Sequence, residues 1–432
     1  MTDRPGIAPA QPWSFPLPEI STLDNGMAVW VYDLPGQFIV SCDLVLELPL
    51  NAEPAGIEGV ATITSRCLDE GTLAHPGPAF AAALEDVAAQ FSSVVGLSTT
   101  RCLLDLPYDT LGPGLALFAE AVTSPGFDPD DVYRIRTNRL MEIEQQESRG
   151  AFVASAALRR HLVAEHLRGG RPGGGEADQV AMIGADDVSR FHLANYAARE
   201  STLVIAGDMT GVDAVAHAAA AFGDWNPVPA PAHPETLSPG TPRREVIHRD
   251  GAVQADIRFG WYGIDRRDPR WEDLQVALAV MGGMFNSRLN TVLREERGYS
   301  YGVSMNARPF RAGGLIDIAT STRTASAQAL IDETLAILSQ PRPFTGQEVA
   351  DAIGYLTLSA PLFLDTAEAV AAQAATLVAS RLDPGYVTRS LRSLARVTPE
   401  SAWHAYQSLI DTGRASIVVV TDTTATPAIA LS

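Results

Sequence analysis

The spacing of hydrophobic residues along this chain changes repeatedly between the period of a strand and the period of a helix. Residues 22–27 contain an Asn-Gly pair, which is typical of a tight hairpin, and residues 29–33 and 38–48 are predicted to be strands. Residues 57–68 place apolar side chains on one stripe at helical spacing. Gly71 is predicted to end that helix.

The first half continues as a mixture of helices and strands. Helices are predicted at 80–90, 111–122, 128–166 and 186–196 and up to 222, with a strand pair at 91–106 and a strand at 202–206. Five glycines lie within residues 169–175. No strand and helix bracket them at the spacing that a phosphate-binding loop needs, so we expect this loop to be a flexible connector.

The second half of the chain repeats the order of the first. Three segments of the first half match three of the second in order, namely 127–132 with 344–349, 187–192 with 399–404, and 203–208 with 417–422. Six prolines lie within residues 226–243, a composition that favours an extended linker. We therefore predict an α+β protein with two homologous α/β sandwich domains, each an antiparallel sheet with helices packed on it, related by internal duplication. The predicted domains are residues 1–225 and 244–432, joined by the linker 226–243.

Composition and charge argue against some classes of binding partner and cellular location. With 32 basic and 51 acidic residues the formal net charge is −19, which argues against nucleic acid or an anionic membrane as the main partner. No segment approaches about eighteen uninterrupted apolar residues, and the first residues lack a secretion-signal pattern, so we expect a soluble, cytoplasmic protein. Cys42, Cys67 and Cys102 lack metal-type spacing and are expected to be small buried hydrophobes.

Residues 281–303 form the segment of the chain whose residue types and spacing indicate a chemical role most clearly. Their pattern predicts a helix that ends at Gly298 and is followed by a strand. Arg294 near the helix end and Tyr301 on the strand are thereby placed on either side of the same turn. A guanidinium and a phenol are both suited to binding a peptide carbonyl. Ordinary packing of a helix onto a strand is the alternative, because Arg and Tyr are common at helix ends and surfaces.

Three other groups have the composition of a catalytic or metal site but the wrong arrangement. His161 and His166 are five residues apart, so on a helix their imidazoles cannot share one ion, and we expect both at the surface. Ser300 lies in a G-x-S-x-G sequence, but a nucleophile elbow needs strand, turn and helix, and here the order is helix, turn and strand. Cys67 belongs to an apolar stripe, with no histidine near it in sequence.

Several motifs occur in one order over nearly the whole chain. They are the N-terminal strands, a helix ending in Leu68-Asp-Glu-Gly-Thr, a strand ending in Ala206-Gly-Asp, and Ser287-Arg-Leu followed by Arg294 and Gly298-Tyr-Ser-Tyr301. This order resembles the pitrilysin/insulinase zinc peptidases, specifically two-domain subunits like those of mitochondrial processing peptidase. The most specific pieces are the Arg294/Tyr301 pair and the Gly-Thr that closes the first amphipathic helix.

The resemblance implies an H-x-x-E-H motif on the first amphipathic helix of active members, where two histidines bind zinc and the glutamate polarises a bound water. Here the corresponding positions hold Thr62, Ser65 and Arg66, and none is a strong zinc ligand. The third ligand of the family falls at Glu142, with Glu144 as the alternative register. Without its co-ligands, Glu142 is expected to be a helix-surface charge or a partner for Arg66 rather than a metal ligand.

The resemblance therefore implies a non-catalytic subunit that binds no metal itself. A partner with an intact H-x-x-E-H helix would supply the zinc in a heterodimer. Arg294 and Tyr301 would reach the partner's site and support cleavage of peptides or unfolded polypeptide. A structural scaffold with no peptidase role is the alternative function. An independent hydrolase is a third hypothesis, but no group of residues in the sequence supports it.

Overall fold

The computed structural model of the chain describes residues 13–225, 237–311, 313–339, 342–425 and 429–431. Within these ranges the strands form two sheets, which helices cover. The strands are β1 (Glu19–Thr22), β2 (Ala28–Asp33), β3 (Ile39–Leu46), β4 (Gln90–Val95), β5 (Thr100–Pro107), β6 (Thr202–Gly207), β7 (Arg244–His248), β8 (Gln254–Gly263), β9 (Val303–Phe310), β10 (Gly313–Arg323) and β11 (Ser416–Thr421).

The α-helices lie between the strands, and the two halves contain equal numbers of the helices named here. The first half contains α1 (Val60–Arg66), α2 (Pro78–Asp86), α3 (Leu111–Thr123), α4 (Pro129–Glu147), α5 (Gly150–Leu162), α6 (Ala177–Val180), α7 (Ala185–Asn195) and α8 (Ala214–Phe222). The second half contains α9 (Trp271–Leu278), α10 (Arg288–Asn290), α11 (Ala327–Ser339), α12 (Gly346–Leu358), α13 (Ala360–Phe363), α14 (Ala367–Ala379), α15 (Tyr386–Leu394) and α16 (Pro399–Leu409).

The two sheets share one topology. The first has the order β1-β2-β6-β3-β5-β4 and the second has the order β7-β11-β8-β10-β9. Apart from the extra β1, each sheet pairs its first and last strands in parallel, β2 with β6 and β7 with β11, and all other neighbours are antiparallel. This agreement in order and direction confirms the predicted α+β fold of two similar sandwich units.

The strand β6 and its counterpart β11 form the centre of each core. All six residues of each strand are buried. Their sequences, TLVIAG and SIVVVT, are nearly continuous apolar runs, as expected for strands covered on both faces. The hydrophobic cores are built on these strands. The strands β4 and β9 lie at one edge of the first and the second sheet, respectively.

Each half covers the sheet of the other half with one helix. The helix α5 packs against β8 and β11, where Leu158 and Leu162 contact the cluster that contains Val418. Conversely, α14 packs against β3 and β6 through residues such as Ala371 and Ala374. Burying apolar area in both directions fixes the two halves against each other.

The predicted linker at 226–243 is described only in part, because residues 226–236 lie outside the described ranges. In the remainder, Pro239 forms a β-bridge with Val163, and the amide of Gly240 donates to the carbonyl of Leu162. These residues are therefore attached to the end of α5. The domain boundaries themselves stay a prediction.

Two predicted helices and one predicted strand differ from the structure. The segment 128–166 is two helices, because Arg149 between α4 and α5 has extended backbone angles. The first amphipathic helix begins at Val60 rather than at residue 57, after Gly59 in a left-handed conformation. Tyr301 lies in a bend, because β9 begins only at Val303.

Among the described helices, none alone is long and apolar enough to cross a membrane. Only the helical stretches Gly346–Phe363 and Ala367–Ala379 satisfy the length and composition test together, and they are bent by 118° relative to each other.

Candidate functional site

The helix α1 carries the three positions that correspond to the zinc motif, and a buried carboxylate fixes its start. Glu53 accepts hydrogen bonds of 2.9 Å from the amides of Gly59 and Ala61. The same carboxylate pairs with Arg168 at 2.7 Å, and both side chains are buried. Burial raises the pKa of Glu53 despite the opposing charge of Arg168. Sequence analysis missed this cap because Glu53 and Arg168 are distant along the chain.

Ser65 of α1 is buried and bound to the neighbouring sheet edge. Its hydroxyl lies 2.6 Å from the hydroxyl of Ser93 on β4, and the Ser93 hydroxyl donates to the carbonyl of Ser65 at 3.0 Å. Both groups therefore hold α1 against the edge strand β4. A hydroxyl in this position can neither polarise a metal-bound water as a carboxylate does nor bind a metal strongly.

Arg66 forms a bidentate ion pair with Glu142 of α4. Its Nη1 lies 2.8 and 2.9 Å from the two carboxylate oxygens, and Arg139 approaches the same carboxylate at 3.1 Å. Partial burial alone would raise the pKa of Glu142, but the hydrogen bonds from Arg66 and Arg139 outweigh it and lower that pKa. The structure thus shows Glu142 as the partner for Arg66, while Glu144 is exposed.

These residues do not fit a zinc ion. Thr62 and Ser65 offer hydroxyls, Arg66 offers only donors, and Glu142 is already bound by two guanidinium groups. In the part of the chain that the structure describes, no group of three or more His, Cys, Asp or Glu residues could hold a metal ion. An arginine therefore lies where the resemblance implies a cation.

A cavity of about 490 Å³ opens beside these residues, and both halves of the chain line it. Thr62, Ser65 and Arg66 form one wall together with residues of the edge strand β4. The lining also includes Arg308 and Phe310 of β9, the edge strand of the second sheet. The cavity is large enough for a few side chains of an extended peptide.

The glycine-rich loop forms a further wall of this cavity and is tied to arginines. Arg139 donates to the carbonyl of Gly174 at 3.0 Å, Arg168 to that of Gly173 at 3.0 Å, and Arg159 to that of Gly169 at 2.6 Å. Arg139 of α4 and Arg159 of α5 therefore tie the loop to both helices, and its expected role as a flexible connector stays a prediction. Arg168 belongs to the loop itself, whereas Arg139 and Arg159 lie 35 and 10 residues from the glycines that they bind, too far apart for a local sequence pattern to reveal.

Arg294 lies in a short π-helical segment, Thr291–Glu296, and Tyr301 lies in the bend before β9, so a turn separates them, and they differ strongly in exposure. The Arg294 guanidinium lies 3.5 Å from the centroid of the Phe285 ring and 2.5 Å from a carboxylate oxygen of Glu295. Its side chain is only 16 % exposed. Tyr301 is 97 % exposed. Within the described residues no hydrogen bond joins the two side chains, and neither lines the cavity.

Asn290 and Arg288 fix this turn. The Asn290 amide group donates to the carbonyls of Met284 and Val303, and its oxygen accepts from the Val303 amide. Arg288 makes two 2.8 Å hydrogen bonds to Glu348 of α12. Together with the cap residue Gly298, at a φ of +63°, these contacts give the turn a defined conformation. Sequence analysis recognised the cap but not the Asn290 contacts, which join residues thirteen apart.

The other candidate groups are structural. His161 was expected at the surface, but it is buried and lies 3.0 Å from Glu245 of β7, because α5 packs onto the second sheet. Its burial lowers its pKa. Ser300 is buried and donates to the carbonyl of Gly302. Cys67 is buried as expected, and burial raises its pKa to about 12.

Comparison with known proteins agrees with this geometry. Residues 183–352 match the family described as the peptidase M16 inactive domain. The chain is 25% identical over 320 residues to an uncharacterized zinc protease of Mycobacterium tuberculosis, covering 73% of this chain and 72% of the relative. It is 23% identical over 313 residues to a protein of Helicobacter pylori named a non-peptidase homolog, covering 71% and 72%.

Solved structures extend the comparison over nearly the whole chain. A peptidase M16 inactive domain from Pseudomonas fluorescens superimposes with a TM-score of 0.86 at 25% identity, covering 96% of this chain and 100% of that one. A chain of complex III2 from Candida albicans shares the fold, with a TM-score of 0.77 at 13% identity and coverages of 93% and 95%. The resemblance inferred from the sequence is confirmed: the chain is similar to inactive members of the pitrilysin-type (M16) zinc peptidases, in residues 183–352 by the family match and over most of its length by the solved structures.

Proposed function

We propose that this chain is the non-catalytic, peptide-binding subunit of a heterodimeric zinc metallopeptidase. The observation that carries the proposal is the bidentate Arg66–Glu142 pair on the wall of an inter-domain cavity. The pair occupies positions at which the resemblance implies a metal site, and the cavity lies beside it. A partner chain with an intact H-x-x-E-H helix would supply the zinc and the water that attacks the peptide.

The edge strand β4 is the element that would hold an extended peptide. It ends the first sheet and borders the cavity through Ser93, Val94 and Val95. A peptide that pairs with such an edge gains main-chain hydrogen bonds with little dependence on its sequence. This mode of binding fits a subunit that accepts peptides or unfolded polypeptide.

Arg294 and Tyr301 would act on the partner's site in this proposal. Tyr301 is free to do so, since its phenol is exposed. Arg294 must first exchange its bond to Glu295 for a substrate carbonyl, while the Phe285 ring keeps the guanidinium oriented. Donors placed at the position of a developing oxyanion are among the largest contributors to hydrolysis.

A direct test mixes the purified chain with a zinc-bearing homologue that contains H-x-x-E-H and measures cleavage of a fluorogenic peptide. We expect no cleavage by this chain alone, with or without added zinc, and a rise in kcat/KM when both chains are present. A partner that is fully active alone, and unchanged by this chain, would refute the proposal.

The alternative function is a structural subunit without a peptidase role. The pairing of Arg294 with Glu295 favours it, because a neutralised guanidinium is what a purely structural residue would show. This alternative predicts stable co-purification with a partner that lacks H-x-x-E-H. It also predicts that substitutions of Arg294 and Tyr301 leave every activity of the complex unchanged.

A further inference from the structure

The inter-domain cavity is rich in arginine although the protein as a whole is acidic. Five arginines line it, and we call them the arginine cluster: Arg66, Arg139, Arg159, Arg258 and Arg308. The only carboxylate among the described lining residues is Asp317. A chain with 32 basic and 51 acidic residues has thus concentrated positive charge at one internal surface.

The carboxylates around the cluster do not balance it. Glu142 binds both Arg66 and Arg139, and Asp317 binds Arg308 at 3.0 Å. Asp256 and Asp317 also act on Arg258 through space. Even when Asp256 is counted as a full charge, five guanidinium groups face three carboxylates, so 5 − 3 leaves two positive charges. An anion that enters the cavity would be attracted by this excess.

Arg159 is the member of the cluster with the least compensation. Its Nε donates to the carbonyl of Gly169, and no carboxylate of the described residues forms an ion pair with it. Burial, followed by the charges of Arg168 and Arg308, lowers its pKa. Its two terminal nitrogens make no hydrogen bond to the described residues, so they are donors available to a ligand.

Arg258 lines the same cavity and is held in place by four hydrogen-bond partners. Its guanidinium donates to the hydroxyl of Ser155 and to the carbonyls of Ala151, Ile257 and Thr320, at 3.0 to 3.2 Å. These four partners are uncharged, so they fix the position of the cation without neutralising it. A pre-positioned guanidinium loses little conformational entropy when it binds an anion.

Apolar side chains complete the lining. Phe152, Leu158 and Leu162 of α5 face the same cavity as Phe310 and Leu315 of the second sheet. A free inorganic anion would leave this apolar surface unused. A ligand that combines an anionic group with an apolar side chain would satisfy both parts of the lining.

We propose that the cavity selects peptide segments in which a carboxylate lies close to an apolar side chain, with the arginine cluster as the carboxylate site. The inference rests on the proposed function only in taking the ligand to be a peptide. The carboxylate is supplied either by an Asp or Glu side chain or by the end of the peptide, since the guanidinium chemistry is the same for both.

The test measures binding to this chain alone by fluorescence anisotropy. One set of labelled peptides shares an apolar sequence and carries Asp, Asn or Lys at one position, and a second set has a free or an amidated C-terminus. We expect the acidic members to bind at least about tenfold more tightly than their neutral counterparts. This preference is expected to weaken as salt is raised.

Variants identify the site. Arg159→Gln is expected to remove most of the preference for the carboxylate, whereas Arg160→Gln, one residue along α5 and outside this cavity, is expected to keep it. Arg308→Gln provides a second variant at a more exposed side chain, should Arg159→Gln fail to fold. It is expected to reduce the preference as well.

Two outcomes separate this inference from the proposed function. Equal affinity for the Asp, Asn and amidated peptides, unaffected by Arg159→Gln and Arg308→Gln, would overturn the arginine cluster as a carboxylate site, even if the chain stimulates a zinc-bearing partner. Selective binding that depends on the arginines, with no effect on any partner's cleavage, would support the inference and count against the peptidase role.

Discussion

A guanidinium carries its charge permanently, so Arg66 places a fixed cation on the helix face where the resemblance implies a removable metal ion. The Glu142 carboxylate that would have been a ligand is recruited as its counter-ion. The substitution therefore leaves no unpaired charge behind. Arg66 thus both takes a position at which the resemblance implies a zinc ligand and neutralises the remaining carboxylate.

This reading predicts a measurable coupling between Arg66 and Glu142. In a double-mutant cycle with Arg66→Met and Glu142→Gln, the interaction energy is expected to be about 0.5–1 kcal/mol, because the pair is bidentate but partly exposed. Urea unfolding of the four proteins measures it. Coupling indistinguishable from zero would show that the two side chains do not hold each other in solution.

Some residue-level contacts could be predicted from the sequence, and others could not. The loss of the zinc motif and the Arg66–Glu142 pairing could be predicted because they depend on helical spacing and on one register. The burial of His161 could not be predicted, since it depends on α5 crossing to the second sheet. The pairing of Arg294 with Glu295 and Phe285 was missed because local sequence does not fix side-chain direction.

At the scale of elements, the position of α1 depends on a carboxylate outside the helix. Glu53 satisfies two amides at its start and is buried together with Arg168. If Glu53 loses its charge, Arg168 keeps only the more distant Glu58 carboxylate, 3.5 Å away, and a buried charge that loses its nearer partner is costly.

Glu53→Gln is therefore expected to lower the free energy of unfolding by about 1–3 kcal/mol. The exposed Glu144→Gln on α4 is the matched control, with an expected change within about 0.5 kcal/mol. Urea denaturation monitored by circular dichroism gives both values. Equal and small effects of the two substitutions would contradict the role assigned to Glu53.

The helical segment that carries Arg294 follows α10, which is attached to α12 through Arg288 and Glu348. The hydrogen bonds from Arg288 lower the pKa of Glu348 from 4.5 to about 2. Because the folded state holds the proton less tightly than the unfolded state, the stabilisation is fully present above pH 4.5 and is lost as the pH falls towards 2.

We expect Glu348→Gln to reduce the free energy of unfolding by about 1–2 kcal/mol at pH 7. The difference from the unchanged protein is expected to shrink below pH 4.5, in step with the ordinary pKa of a glutamate. Chemical denaturation at a series of pH values measures it. A difference that is constant from pH 7 to pH 3 would contradict the assigned pKa.

At the scale of the whole molecule, duplication explains both the fold and the site. The strand order that the two sheets share, apart from the extra β1, could be predicted from matched segments in the sequence, such as 203–208 and 417–422. The reciprocal placement of α5 and α14, which brings the edge strands β4 and β9 to one cavity, required the structure, because long-range packing leaves no local pattern.

The central claim is that this chain completes the active site of a zinc-bearing partner through Tyr301 and Arg294. The most direct measurement is kcat for a fluorogenic peptide with the assembled pair, comparing the unchanged chain with Tyr301→Phe and Arg294→Ala, after size-exclusion chromatography has shown equal assembly. The account predicts a fall of about 100-fold or more for each substitution. Unchanged kcat in correctly assembled pairs would contradict it.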